Sequence, residues 1–515
     1  MAHAASSRYR LEASLLVILL GLVLYSGVIG KCRLLNDADT LWHIVVGKEI
    51  FTEGFPTVDH YSFTRNGDRW LANQWLAECL MAVFDWLGGF DGVLLFAVLI
   101  LAATYLFVAH RWLVRGVDPL LVVAMLTIVL STSSYTFTAR PHLFSIPLLA
   151  VAYVVLRNIE DGVVNVAHMR WLIALFLAWN NLHGGVLGGL GSLGLVAGLW
   201  TMQWVLRVPS PISSVKVALQ TWLIVAACFA ALVVNPYGPG ALFEWLEILG
   251  MSLPDLIIEH APLEVGSLPG LFAILLLLLY VGVFAATPGC WLRATFWLPL
   301  MWFVLTCTRI RHAPLFAIMA ALGIADLLPQ SRIAPYLVRH GWLTPSGNCF
   351  TLRFPRRVAI FGLSILLVLL AAAVWLRHVG PLPVVGKNWT QPTARIWPAS
   401  ILPALKELEA RMPGATPIFN EPQLGGFLIY NCPDLRVFID GRCELYGEPF
   451  LREFVAAWDD PASVDRWRRR YAFPAALIAA DSPLREYFDG VENWRAISVT
   501  SAAVLYEWVD VPGVE

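Results

Sequence analysis

Long apolar blocks separated by short polar segments run through most of the chain, and the blocks are about 20 residues long, the length needed to cross a bilayer as a helix. The pattern predicts about eleven spans, near 12–30, 91–109, 119–135, 141–156, 170–183, 185–206, 217–234, 268–286, 291–307, 313–328 and 358–376, some of them short or tilted. Beyond them the apolar runs shrink to strand length. TPIFN (Thr416–Asn420), LRVFID (Leu435–Asp440) and PAALIAA (Pro474–Ala480) read as buried strands, and 494–499 with 503–508 alternates like a terminal hairpin. Helical stretches are predicted near 398–411, 449–458 and 461–470, with Gly425 and Gly426 breaking the pattern or starting a short helix. The domain plan is a transmembrane region over 1–378 with a first outer loop at 31–90, a Pro-rich linker over 379–397, and an α/β domain over 398–515. The fold class is therefore a polytopic α-helical membrane protein carrying a C-terminal extracytoplasmic α/β domain.

Composition agrees with the pattern. Hydrophobic residues make up 58% of the chain and charged residues 14%, against about 25% charged in soluble domains. A formal net charge of −1 gives no sign of a nucleic-acid partner. The basic residues also set an orientation. With the N-terminus cytoplasmic, Arg8, Arg10, Arg111, Arg115, Arg157, Arg170, Arg293 and Arg356 fall on the inner side, which satisfies the positive-inside rule. The C-terminal domain then lies outside. Cys432 and Cys443 fall on that outer side, where a disulfide or two separate thiols are equally compatible with the sequence.

Polar residues gather at the outer ends of the spans. Asp37 and Asp39 follow the first span, and the segment from Thr40 to Phe51 is patterned to lie flat in the interface with Leu41, Ile44, Val45 and Phe51 in lipid. Asp59, Arg140, His142, Asn181, His183, Glu244, Glu259, Arg309, Arg311 and His312 face the same compartment. Together they predict an outer cavity lined by carboxylates, amides, histidines and arginines. A carboxylate there can take a proton from an acceptor hydroxyl, and Arg and His can hold phosphate oxygens. Asp37, Asp39 and Asp59 are the candidate catalytic carboxylates, and the others are candidate substrate ligands. Asp37 and Asp39 can instead satisfy the start of a helix, and Asp-x-Asp can hold a divalent cation, although two carboxylates make an incomplete site.

The segments DADTLWHIVVGKEIFTEGFPTVDHYSFT, WLANQWLAE, RPHLFS, NNLHGG, NPYG, RHAPLFAI and GGFLIY…VFIDGRCELYG carry a resemblance over nearly the whole chain. The chain resembles the polytopic glycosyltransferases of the GT-C fold, the group that includes protein mannosyltransferases and bacterial aminoarabinose transferases. The resemblance implies essential acidic residues in the first outer loop. It also implies a polyprenyl-phosphate-linked sugar as donor and a lipid, glycan or protein acceptor. The adjacent acidic pair of the better-known members is absent, since Ala38 separates Asp37 from Asp39. Two other functions fit the same layout. One is a transporter of lipid or polysaccharide, which calls for polar groups near mid-membrane. The other is a non-catalytic assembly protein whose outer domain docks partners. In FIDGRCELYG, Asp440 and Arg442 either reach the cavity or close a turn within the tail, and the D-G pair favours the turn.

Overall fold

The structure, a computed structural model, describes residues 33–251, 258–344 and 393–510. The expected spans near 12–30 and 358–376, and most of the linker, lie outside the described residues. Among the described residues, seven helices are long and apolar enough to cross a membrane. They include α2 (Trp75–Val114), α3 (Pro119–Ser133), α4 (Ser145–Glu160), α6 (Val186–Val205), α7 (Val215–Ala230), α9 (Leu268–Ala285) and α11 (Ala313–Leu327). The expected spans near 170–183 and 291–307 appear as shorter helices, α5 (Arg170–Leu182) and α10 (Leu298–Thr308). α8 (Pro239–Gly250), read from sequence as an outer segment, is a helix of 12 residues. The helix starts follow local chemistry. Asp118 caps α3 by accepting from the Leu120 amide at 2.9 Å, and Ser267 caps α9 by accepting from the Gly270 amide at 3.1 Å. α2 is bent where Gly88 and Gly89 leave helical geometry, Gly89 with φ of +59°.

α1 (Asp39–Thr52) forms where an interfacial helix was expected, but most of its expected lipid face packs inside the protein. Leu41 and Ile44 are buried within the protein, and only the far end, at Phe51, is exposed. The reason is the C-terminal domain, which packs directly on α1 through α14 (Pro422–Asn431). Gly425 and Gly426 run inside α14 rather than breaking it. A Cβ on Gly426 would sit 2.1 Å from the Ala38 carbonyl oxygen, so glycine is what lets the helix touch the loop before α1.

The C-terminal sheet has the order β2-β1-β3-β5-β4. β1 (Thr416–Asn420) pairs in parallel with β2 (Leu435–Val437) and β3 (Ala475–Ala479), while β4 (Trp494–Val499) and β5 (Ala503–Trp508) form the antiparallel hairpin. The first outer loop extends this sheet. Ser62 bridges to Val437, Val437 N–H donates to the Tyr61 carbonyl at 3.0 Å, and Phe63 N–H donates to the Val437 carbonyl at 3.0 Å. Behind that seam Arg442 Nη1 lies 2.7 Å from Asp59, and Arg442 donates to Asp440 at 2.9 and 2.6 Å. The guanidinium also stacks over Trp70 and Tyr61. This dry cluster locks the loop to the tail. Cys432 and Cys443 are both free thiols, so no disulfide joins them.

Candidate active site

The ends of α4, α6, α8, α10 and α11 that lie toward the C-terminal domain, with the start of α1, enclose a cavity of about 400 Å³. Asp39, Arg140, His142, His183, Glu259, Arg309, Arg311 and His312 line it, as the sequence led one to expect. The other expected residues stand elsewhere. Asp37 sits behind Arg140. Asn181 is spent inside the bundle, accepting from Trp75 Nε1 at 2.7 Å and donating to the Leu177 and Val234 carbonyls. Glu244 is half-buried on α8 outside the cavity lining, where desolvation and the nearby Glu444 charge push it up to about 8. Asp59, expected among the catalytic carboxylates, stands outside the cavity lining. It is 1% exposed and held by Arg442 and by Ser62, whose hydroxyl donates at 2.6 Å.

Arg140 organises the acidic side. Nη1 reaches Asp37 at 3.2 Å and Glu259 at 3.0 Å, and Nη2 reaches Asp39 at 2.9 Å. Asp37 spends its other oxygen on the Asp39 backbone N–H at 3.0 Å, so the helix-start reading holds for Asp37. Asp39 is the first residue of α1, accepts from Trp42 Nε1 at 3.0 Å, and faces the cavity. Burial, reinforced by the Asp37 charge, outweighs Arg140 and raises Asp39 to about 7. Glu259 goes the other way. Burial would raise it, but Arg140, His142 and Arg311 hold it at about 2. The carboxylates do not fit a divalent cation, because the Arg140 guanidinium occupies the space between them. Among the described residues no His, Cys, Asp or Glu group gathers in a metal-binding arrangement.

The histidines are set by their partners. His183 Nδ1 accepts from the Gly185 N–H at 3.0 Å, which leaves Nε2 as the donor of a neutral ring. His142 Nε2 contacts the Thr136 carbonyl at 2.6 Å and must donate to it, leaving Nδ1 as an acceptor. His312 Nδ1 donates to the Leu305 carbonyl at 2.9 Å in the same way. The Gly-Gly after His183 is a steric requirement, since a Cβ on Gly184 would lie 2.2 Å from the Trp245 ring.

The C-terminal domain completes the wall with Gly441, Cys443 and Glu444, residues that sequence reasoning passed over. Asp440 and Arg442 close the turn inside the tail, as the D-G pair suggested, and their neighbours reach the cavity. A Cβ on Gly441 would stand 1.6 Å from Asp39 Oδ1, so the tail seats directly against the carboxylate. Glu444 accepts from Trp70 Nε1 at 3.2 Å, and burial raises its pKa. Nothing in the local sequence marks Glu444, since only docking of the tail brings it there. His260, which also lines the cavity, was visible in sequence next to Glu259.

These elements make a helical membrane protein with a polar cavity at one end of its helices, roofed by an α/β domain, and the solved structures it is similar to share the GT-C fold. Among solved structures the chain is similar to ArnT from Cupriavidus metallidurans in the apo state, with TM-score 0.51, 16% identity, and 98% of each chain covered. It is also similar to the oligosaccharyltransferase AglB from Archaeoglobus fulgidus in complex with an inhibitory peptide and a dolichol-phosphate. That match has TM-score 0.56 and 11% identity, covering 97% of this chain and 75% of AglB. At these identities the likeness is one of fold. No family model matches the sequence, and no curated protein matches it.

Proposed function

We propose that the chain transfers a sugar from a polyprenyl-phosphate-linked donor to an extracytoplasmic acceptor in the outer cavity. The observation that carries this reading is a carboxylate with pKa near 7, Asp39, sharing one cavity with Arg309 and Arg311, which have no carboxylate in ion-pair contact among the described residues. A base poised near the working pH is suited to take the acceptor proton. The arginines are suited to hold the phosphate. Trp245, Ile248, Leu249 and Leu305 give the cavity an apolar side on which the lipid lies. The fold shared with ArnT and AglB, the latter solved with a dolichol-phosphate, supports a lipid-phosphate carrier. The sequence gradient of basic residues supports a topology of about eleven spans, with the tail outside the bacterial inner membrane. The polar groups line an outer cavity rather than a path through mid-bilayer, which favours transfer over transport.

The test is transfer of labelled sugar from a panel of undecaprenyl-phosphate sugars by reconstituted full-length protein, with mass spectrometry of co-purified lipid to select the panel. Turnover by wild type that D39N abolishes supports the reading. Near-wild-type turnover in D37N, D39N and the double variant removes both aspartates from the chemistry.

A further inference from the structure

Charge is distributed unevenly around the cavity. Arg140 is already met by Asp37, Asp39 and Glu259. Among the described residues Arg309 donates to the Leu249 and Met251 carbonyls, at 3.2 and 3.3 Å. Arg311 contacts His260 Nε2 at 2.7 Å. The phosphate side therefore carries two guanidiniums with no carboxylate in ion-pair contact among the described residues, Glu259 acting on Arg311 only from a distance.

Hydrogen-bond logic adds a donor to that side. A guanidinium has no acceptor, so His260 Nε2 must accept from Arg311, and the ring proton sits on Nδ1. Burial and the two arginines hold His260 down to about 4, so the ring is neutral at neutral pH. Its Nδ1 has no hydrogen-bond partner and the residue is 6% exposed. Trp245 Nε1, on a residue 7% exposed, is also unpartnered, and both residues line the cavity. Buried donors are nearly always paired, so these await an acceptor.

We infer that this side of the cavity is matched to a phosphate monoester, and that it holds the leaving polyprenyl phosphate more tightly than the sugar-bearing donor. The inference rests on the glycosyl-transfer reading. In that reaction the acceptor hydroxyl gives its proton to Asp39 and its oxygen bonds to the anomeric carbon. The bond from that carbon to the phosphate oxygen breaks, and its electron pair stays on the oxygen. A diester with one negative charge becomes a monoester carrying about −1.5 to −2 at neutral pH. The added charge arises beside Arg309, Arg311 and the His260 N–H, where the arginines form no ion pair among the described residues and Glu259 acts on Arg311 only from a distance, so they bind the product side of the reaction better than the substrate side. Release of the lipid phosphate then limits turnover.

The experiment compares binding of undecaprenyl phosphate with undecaprenyl methyl phosphate, a diester of the same lipid without a sugar, to purified full-length protein by native mass spectrometry. The expected result is a preference for the monoester of roughly tenfold or more, since bonds to the more highly charged group are stronger. The preference should shrink toward unity at pH 5, as the monoester takes up its second proton near pH 6. It should also shrink in R309Q and R311Q. Equal affinity for the two lipids in wild type at pH 7.5, or a preference that survives acidification, overturns the inference alone. Binding of neither lipid overturns the glycosyl-transfer reading beneath it.

Discussion

The two ends of the helix bundle use the same side chains to opposite effect. At the end away from the cavity, Asp326 on α11 lies 2.7 Å from Arg111 and 2.7 Å from Arg115, with Arg157 at 3.8 Å. Arg157 also pairs with Glu160 at 2.6 Å, and Glu160 accepts from Trp200 at 2.9 Å. Asp326 and Arg157 are each 1% exposed. About 20 Å away along α11, the outer cluster carries arginines, carboxylates and histidines around open space. Charge matched within a dry interior holds helices together. Charge left unmatched beside a cavity is available to a ligand. The residue types do not distinguish these roles; the room around them and the count of partners do.

The largest effect should come from breaking the outer cluster at its base. D39N should lower sugar transfer by about 10²–10⁴-fold, the usual range for loss of a general base, with an unchanged melting temperature as the control for folding. The inner cluster should respond in the other currency. Asp326→Asn removes the counter-charge that Asp326 gives to Arg111 and Arg115, a change that costs about 3–5 kcal/mol. Thermal denaturation in a fixed detergent should show that loss, while the activity of the protein that remains folded stays close to wild type. A D326N variant with full stability and lost activity would erase the distinction between the two ends.

Acidity sharpens the comparison further. Asp39 is raised to about 7, so it is protonated below that pH and competent as a base only above it. The acid limb of kcat/KM should therefore fall about tenfold per pH unit below pH 7. A flat profile between pH 5 and 8 would show that Asp39 is not the titrating base. The smallest effects should come from the roof. Glu444→Gln keeps the bond from Trp70 while removing a charge, and should change KM by a few-fold with kcat nearly intact, measured on the same transfer assay.

Much of this was readable along the chain. Apolar block length located the described membrane helices, a short apolar run located the strand from Thr416 to Asn420, and period-2 alternation located the hairpin at 494–508. These are local signals, set by how a helix or strand repeats its faces. The collection of polar groups at one end of the spans was readable too, because a bilayer leaves few other places for them. Asp37 and Asp39 could not be told apart in this way. They are two residues apart, and only the fold turns Asp39 into the cavity while giving Asp37 to a backbone amide and Arg140. Asp59 looked like its neighbours in sequence, yet pairs with Arg442 nearly 400 residues later. α1 looked interfacial because its apolar face suits lipid and a protein partner equally well, and α14 supplied the partner. Local pattern thus determined which elements exist and which side of the membrane region is polar. Tertiary packing decided which charges are consumed and which stay free, because partners for a charge are chosen by distance in space, and distance along the chain carries almost no information about it.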